Sequence, residues 1–475
     1  MKILPCSIYF QMPYQNNTQG LLRSQYYLSL VHVASLFPGM SIVQAASSFS
    51  EVCTTAILRS VNGVLAVLCS ILVYDIITLL RPTFSEGKAT ISAVVLALYP
   101  LHWFFTFLYY TDVASLTAVL AMYLACLKKN YWLSAVLGAL AVVIRQTNIV
   151  WMLFVACTGV INVTLVRPRD NVEVNDIDTA IRKSNRSTSN DDVTSGSNLR
   201  LRKFSNSLGT DKHSMPSASL VSTNHSSGLL DEVKVIFLAL WYMKWELLVS
   251  FSPFLVVFVA FLAFIRWNGS VVLGAKEAHT VSPHFAQIMY FGLVSALAVA
   301  PLHCSKGQVV DLFRSFWKRR LISFFQVFVA VIAGFFSVHF FSIAHPYLIA
   351  DNRHYPFYLW RKVINAHWSM KYLLVPPYVY SWFSIFITLG RVQRKIWVLA
   401  FFLATAAVLV PAPLIEFRYY TIPFYFIVLH SHINDYQSWL LMGLLYLAVN
   451  IFTMMIFLFR PYHWDHELGI QRFIW

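Results

Sequence analysis

Six ionisable side chains of opposite sign are the first candidates for chemistry in this chain: Asp112, Arg145, Asp351, Arg353, Glu416 and Arg418. They lie in four short polar clusters. "LYYTD" ends at Asp112, and "VIRQTN" supplies Arg145, Gln146 and Asn148. "ADNRHY" supplies Asp351, Asn352, Arg353, His354 and Tyr355, and "EFRYY" supplies Glu416, Arg418, Tyr419 and Tyr420. Only 12% of the residues are charged, so each cluster needs a reason. Ionisable groups at membrane depth are costly and face a cavity or a partner. Arginine's planar fork grips two phosphate oxygens together. A carboxylate takes a proton from an attacking hydroxyl. Three arginines and three carboxylates therefore suit a pocket for an anionic head group and a hydroxylated substrate.

Each candidate also has a structural alternative. Arg145 and Glu416 fit ion pairs that hold helices together. Asp112 at the start of an apolar run fits a helix N-cap. His354 fits a hydrogen-bonding loop residue. The tail sequence "HWDHE" (463–467) has metal-ligand spacing but reads as solvated tail. The tyrosines and tryptophans suit sugar stacking and a membrane-interface belt equally well. The grouping, not any single member, favours function.

The elements that must position these residues are apolar. The chain has 475 residues, 58% of them hydrophobic, with mean hydropathy +0.60. A soluble chain of this length carries about twice as many charges. Apolar stretches recur at the length of ~20 residues that a membrane crossing needs. They run continuously instead of alternating, which argues against a β-barrel. The expected spans are 26–46, 54–80, 89–111, 112–127, 130–146, 147–166, 249–265, 284–304, 321–345, 369–390, 395–415 and 437–460. The chain thus reads as an all-α polytopic membrane protein. Residues 235–248, apolar and aromatic but carrying Lys244 and Glu246, read as an interfacial segment. Residues 167–233 are rich in Ser, Asn, Asp, Arg and Lys and cannot bury enough apolar surface to fold, so a disordered loop is expected.

The net charge of +15 is not a nucleic-acid signal, because the basic residues sit in short loops between apolar runs. Such loops stay cytoplasmic. "KGQVVDLFRSFWKRR" (306–320), "RVQRK" (391–395), Lys128, Lys129, Arg81 and Lys88 agree on one orientation. It makes 167–233 and the C-terminal tail cytoplasmic. It collects Asp112, 145–148, 267–283, 346–368 and 416–436 on the far side. The loop 353–371, with Arg353, Arg361, Lys362 and Lys371, breaks the positive-inside rule there, and anion binding is a natural reason. Of the sequons at Asn16, Asn185, Asn224 and Asn268, only Asn268 falls in a far-side loop. The six cysteines are scattered with no CxxC pair, so neither a disulfide framework nor a metal site is expected. The N-terminus is too short in its apolar part, and too broken, for a signal peptide.

"LYYTD", "VIRQTNIVW", "FWKRR", "ADNRHYPFYLWRKV", "KYLLVP", "EFRYYTIPFY" and "IQRFIW" occur in this order. Together they resemble the dolichyl-phosphoglucose-dependent α-1,2-glucosyltransferase family of the endoplasmic reticulum, from about residue 53 to the end, outside the polar insert. The resemblance implies a C-type glycosyltransferase fold with ten to twelve transmembrane helices and a site facing the lumen. It implies transfer from dolichyl phosphate glucose to the terminal glucose of a diglucosylated glycan on dolichyl diphosphate, by a single inverting displacement. A carboxylate, Asp112 or Asp351, would deprotonate the acceptor 2-hydroxyl. Arg145, Gln146, Asn148, Asn352, Arg353, His354, Tyr355, Glu416, Arg418 and Tyr419 would bind substrate. The partners are then the two dolichol-linked lipids and the bilayer. No cofactor or metal is expected, since the donor is itself a substrate.

Members of that family usually carry an N-terminal transmembrane helix and then a luminal Asp-Glu-x-Phe-His motif, the expected home of the base. Here the first acidic residue is Glu51, and "LFPGMSIV" (36–43) resembles a segment that follows the motif. Truncation is the favoured reading, with transfer of the base role to Asp112 or Asp351 as the other. Residues 1–50 are then a divergent or truncated segment, and 26–46 can be an interfacial helix. Residues 51–166 form a first transmembrane bundle, 167–233 a cytoplasmic loop, 234–460 a second bundle with luminal loops, and 461–475 a cytoplasmic tail. The alternative function is an inactive membrane partner or regulator. A secondary transporter would require an inverted repeat, and none is visible.

Overall fold

The computed structural model describes residues 55–164 except 109, 228–271, 282–345 except 319 and 344, 348–464 except 350, and 470–475. The span expected at 26–46, the segment 1–50, most of 167–233, the sequons at Asn16, Asn185 and Asn224, and Asp465, His466 and Glu467 lie outside the described residues.

The described residues are helical and contain no strand. A helix satisfies every backbone polar group within its own segment, as a bilayer demands. In order the helices are α1 (Thr55–Leu80), α2 (Glu86–Ala97), α3 (Pro100–Thr106), α4 (Asp112–Leu127) and α5 (Tyr131–Ile144). Then come α6 (Asn148–Thr164), α7 (Leu229–Tyr242), α8 (Lys244–Asn268), α9 (Ala286–Ala298), α10 (Lys306–Lys318) and α11 (Arg320–Phe340). They are followed by α12 (Tyr355–Leu359), α13 (Met370–Gly390), α14 (Lys395–Leu409), α15 (Thr421–Leu429) and α16 (Tyr436–Phe459). Every expected span from residue 54 onward contains one of these helices. Five of them, α1, α8, α11, α13 and α16, are long and apolar enough to cross a membrane, or six if the bent pair α2–α3 is one span. Helix length alone therefore does not reach ten to twelve crossings. The α2–α3 pair bends by 67°. Pro100 at the bend cannot donate to the helical ladder, which is the usual cause of such a break. Residues 235–248 resolve into the end of α7 and the start of α8, which meet at Met243.

Contacts sort the helix ends into two sets. At one end Asn62 of α1 donates to the carbonyls of Leu108 (2.7 Å) and Tyr110 (3.0 Å). At the other, Arg81 donates to the carbonyls of Val428, Leu429 and Ser431 at the end of α15. There too the His430 ring meets Tyr123 Oη (2.8 Å) and Gln393 Nε2 (2.7 Å). Both halves share one aromatic core, in which Trp151 stacks on Phe426 at 5.5 Å and Phe154 meets Trp397 at 5.4 Å.

Two expectations are corrected. Residues 416–436 are not a single far-side turn. Their middle is α15, buried at all nine positions, which runs from the Asp112 end of the bundle to the Arg81 end. Helix α16 then starts beside Lys88, whose Nζ lies 5.1 Å from the Tyr436 ring, and returns to place Phe457 against Phe104 at 5.6 Å. The tail therefore emerges at the same end as residues 351–355 and pairs with them, as the bridge between His354 and Ile474 shows. Tail and loop do not lie on opposite faces. One extra traverse by α15 accounts for the exchange.

Candidate active site

Asp112 is the first residue of α4, after Thr111 at the N-cap position. A carboxylate there is favoured by the helix dipole. It makes no capping bond and instead turns to the next corner, where its Oδ1 accepts from Arg145 Nη1 at 2.9 Å. Its Oδ2 stands 3.8 Å from Arg418 Nη1 and has no hydrogen-bond donor among the described residues. Arg418 also pairs with Glu416. The order Arg145–Asp112–Arg418–Glu416 alternates in sign, and each charge faces its opposite. The Arg418 guanidinium lies 5.1 Å from the Tyr110 ring centre and 5.8 Å from that of Phe105, within cation–π range. The charge of Glu416, then burial, raises the Tyr419 phenol above its ordinary value, so Tyr419 stays a neutral donor.

A second cluster forms where the chain returns after α11. Arg353 Nε and Nη2 grip the Asp351 carboxylate at 2.9 and 2.7 Å, and the Arg353 amide adds a bond of 2.9 Å. His354 Nε2 lies 3.4 Å from the same carboxylate. Burial pushes the Asp351 carboxyl up, but the hydrogen bonds of His354 and Arg353 outweigh it and hold the group well below the usual carboxylate range. Asn352 Oδ1 accepts from Tyr462 Oη (3.2 Å) and Trp464 Nε1 (3.1 Å). Tyr355 packs its ring 4.9 Å from that of Trp475, which also meets Phe417 at 6.0 Å. Tyr355 Oη and Trp475 Nε1 are buried with no hydrogen-bond partner among the described residues.

The two clusters are linked through Trp475, whose ring meets Tyr355 beside one and Phe417 beside the other. Burial raises the Tyr110 phenol, and the charges of Arg418, Glu416, Asp112 and Arg353 all act on it. Tyr110 lies against the Arg418 guanidinium of the first cluster. It belongs to the "LYYTD" motif, and its place two residues before Asp112 is the sequence signal for it. Tyr462, Trp464, Gln471 and Trp475 contribute from the tail, which the charge pattern alone places on the other face.

Not every candidate points at the site. Asn148 is buried, and its amide exchanges hydrogen bonds with Ser115 and donates to the Ala141 carbonyl at 2.8 Å. That engagement ties α4, α5 and α6 together. Gln146 is half-buried at the same corner, its carbonyl accepting from the Ile149 amide. Among the described residues, no group of three or more metal-ligating side chains occurs.

The six charges sum to zero. The exposed Arg361 and Lys362, just beyond Arg353, add unbalanced positive charge to this end. Of the two candidate bases, Asp351 has both oxygens engaged and little affinity for a proton. Asp112 keeps one oxygen without a donor.

Comparison with known proteins gives a consistent result. The sequence model of the DIE2/ALG10 family matches residues 21–429. A relative from Arabidopsis thaliana is 57% identical over 453 residues, covering 95% of this chain and 88% of that protein. Relatives from Mus musculus and Homo sapiens are each 31% identical, and each match covers 89% of this chain and 81% of the relative. All three are named Dol-P-Glc:Glc(2)Man(9)GlcNAc(2)-PP-Dol alpha-1,2-glucosyltransferase. No solved structure matches.

Proposed function

Because this chain belongs to the DIE2/ALG10 family, we propose that it transfers glucose from dolichyl phosphate glucose to the diglucosylated lipid-linked oligosaccharide, forming its terminal α-1,2 linkage. The observation that carries this reading is the match along 95% of the chain to a relative of that name. No observation favours an inactive partner.

The chemistry distributes over the two clusters. Asp112 takes the proton of the acceptor 2-hydroxyl as its oxygen forms a bond to the donor glucose C1. The C1–O bond to phosphate breaks, and dolichyl phosphate leaves with the electron pair. Arg418 and Arg353 neutralise the charge that develops on it, from positions already fixed by Glu416 and Asp351. Arg145 fixes Asp112. Tyr110 and Tyr419 offer neutral hydroxyls to the sugars. No cofactor takes part, since dolichyl phosphate glucose carries the activated group. The reading also entails a C-type glycosyltransferase fold with ten to twelve crossings. The shorter apolar helices running between the same two ends support that count. It entails the endoplasmic reticulum membrane with the site facing the lumen, for which the basic 306–320 and 391–395 segments at the opposite end give support.

The test is complementation of cells lacking the terminal α-1,2-glucosyltransferase, read on the glycan of the lipid carrier. Appearance of the triglucosylated form is expected. Persistence of the diglucosylated form, with the protein present in the membrane, overturns the reading.

A further inference from the structure

The bond between the tail and the 351–355 loop is denser than a passing contact requires. The Ile474 amide donates to the Arg353 carbonyl at 2.9 Å, and the Tyr355 amide donates to the Ile474 carbonyl at 3.1 Å. His354 Nδ1 meets the Trp475 carbonyl oxygen at 3.2 Å. Gln471 Oε1 accepts from Arg353 Nη1 at 2.8 Å, while the Gln471 backbone is bonded twice to Tyr462, at 3.0 and 2.7 Å. Trp464 lies under the Arg353 guanidinium, 4.7 Å from its ring centre. Finally the Trp475 ring reaches past the loop to Phe417, one residue from Arg418. The tail therefore touches both clusters. It fixes the arginine of one and wedges against the backbone that carries the arginine of the other.

We propose that residues 470–475 are a strap that positions Arg353 and the 416–420 turn for the phosphate of the lipid donor, with Gln471 and Trp475 as positioning residues. The proposal rests on the glucosyltransferase reading for its substrate, but the strap itself is a property of the fold. Asp351 and Gln471 hold the Arg353 fork from different sides, Nε and Nη2 against Nη1. Without Gln471 the Nη1 end of the fork loses this acceptor. Without the Trp475 ring, loop and turn lose their common wedge. Both changes spoil where the cation waits for the donor and leave the proton acceptor, Asp112, untouched. The effect therefore belongs in donor binding more than in turnover.

The experiment uses the full chain in membranes and two readouts. In transfer kinetics, Gln471→Ala raises KM for dolichyl phosphate glucose roughly tenfold, the size expected for a lost hydrogen bond to a charged group, and Trp475→Ala, which removes the aromatic wedge, also raises KM, each with a smaller change in kcat. Trp475→Phe, which keeps an aromatic wedge, restores most of the affinity. In hydrogen exchange of the membrane-extracted protein, the peptide containing Tyr355 is protected in the wild type and loses protection in Trp475→Ala. Unchanged KM and unchanged protection in both alanine variants overturn the proposal. So does a Trp475→Phe defect as large as that of Trp475→Ala, or a loss confined to kcat. If the wild type transfers no glucose, the functional reading fails. Hydrogen exchange then still decides whether the strap exists.

Discussion

At the scale of single residues, the two aspartates separate by how they are held. Asp112 presents one oxygen without a donor, whereas both Asp351 oxygens are engaged by Arg353. Asp112→Asn is therefore expected to lower kcat by about 10²- to 10⁴-fold, the range of a lost general base. Asp351→Asn should act mainly on donor KM, through Arg353. Steady-state kinetics on matched amounts of membrane protein check both, and a kcat loss in Asp351→Asn as deep as that in Asp112→Asn would exchange their roles. The pH behaviour follows the same division. His354 and Arg353 depress the Asp351 carboxyl, so what it contributes to the loop is present above the ordinary carboxylate value of about 3.9. That contribution is lost only as pH falls through the lower, folded value. Asp351 thus stays ionised through neutral and mildly acidic pH, and Asp351→Asn leaves the acid limb of the pH–kcat profile in place. Arginine substitutions differ by depth. Arg418 pairs with Glu416 and neighbours Asp112, so Arg418→Ala strands Glu416 and leaves Asp112 to Arg145 alone. Breaking a buried pair this way costs about 3–5 kcal/mol. Its transfer and its steady-state level should both fall, while Arg353→Ala reduces transfer and keeps membrane insertion.

At the scale of elements, packing tolerances are tight where helices cross. A Cβ on Gly292 of α9 would stand 2.6 Å from Trp382 Nε1. That indole donates to the Ile288 carbonyl at 2.9 Å and packs between Phe386 and Phe402, so it cannot swing aside. Gly292→Ala is expected to destabilise the α9–α13 contact by about 1–3 kcal/mol, as overpacking does. A fluorescence-detected melting temperature clearly below that of the wild type in detergent checks it, and an unchanged value would mean that the indole yields. The element pattern also explains what could be read from sequence. Long continuous apolar runs declare α1, α8, α11, α13 and α16, and the polar clusters at span ends place Asp112, Arg145, Arg353 and Arg418 on one side. Helix α15 was not legible. "TIPFYFIVL" has nine residues against the ~20 of a full crossing, so it read as part of a loop. Missing one traverse reversed the side of everything after it. Sequence alone therefore separates Gln471 and Trp475 from the site, although "IQRFIW" is one of the motifs that carry the resemblance. The pairing of Gln471 with Arg353 joins positions 118 apart, and no local periodicity encodes such a contact.

At the scale of the whole molecule, the question is which parts of the chain the two ends of the bundle depend on. Among the described residues, the site end is assembled by side chains from α4, the α5–α6 corner, the 351–355 loop, the 416–420 turn and the tail. None of these comes from the polar insert. The helices flanking the insert are held by their own contacts. On one side Phe154 of α6 packs on Trp397. On the other, the buried Glu232 of α7 accepts from the Ile396 amide at the start of α14, at 3.0 Å. Both anchors reach α14, so the insert is not needed to bring α6 and α7 to the same neighbour. Its composition, rich in Ser, Asn and charge, offers no apolar face with which to add to the core. Deleting about residues 170–230 and joining the ends with a flexible polar linker should therefore leave glucose transfer largely intact, read as the ratio of triglucosylated to diglucosylated lipid-linked glycan. A stably expressed deletion that transfers no glucose would place part of the activity in the insert and contradict the dependence of the site on the packed helices alone.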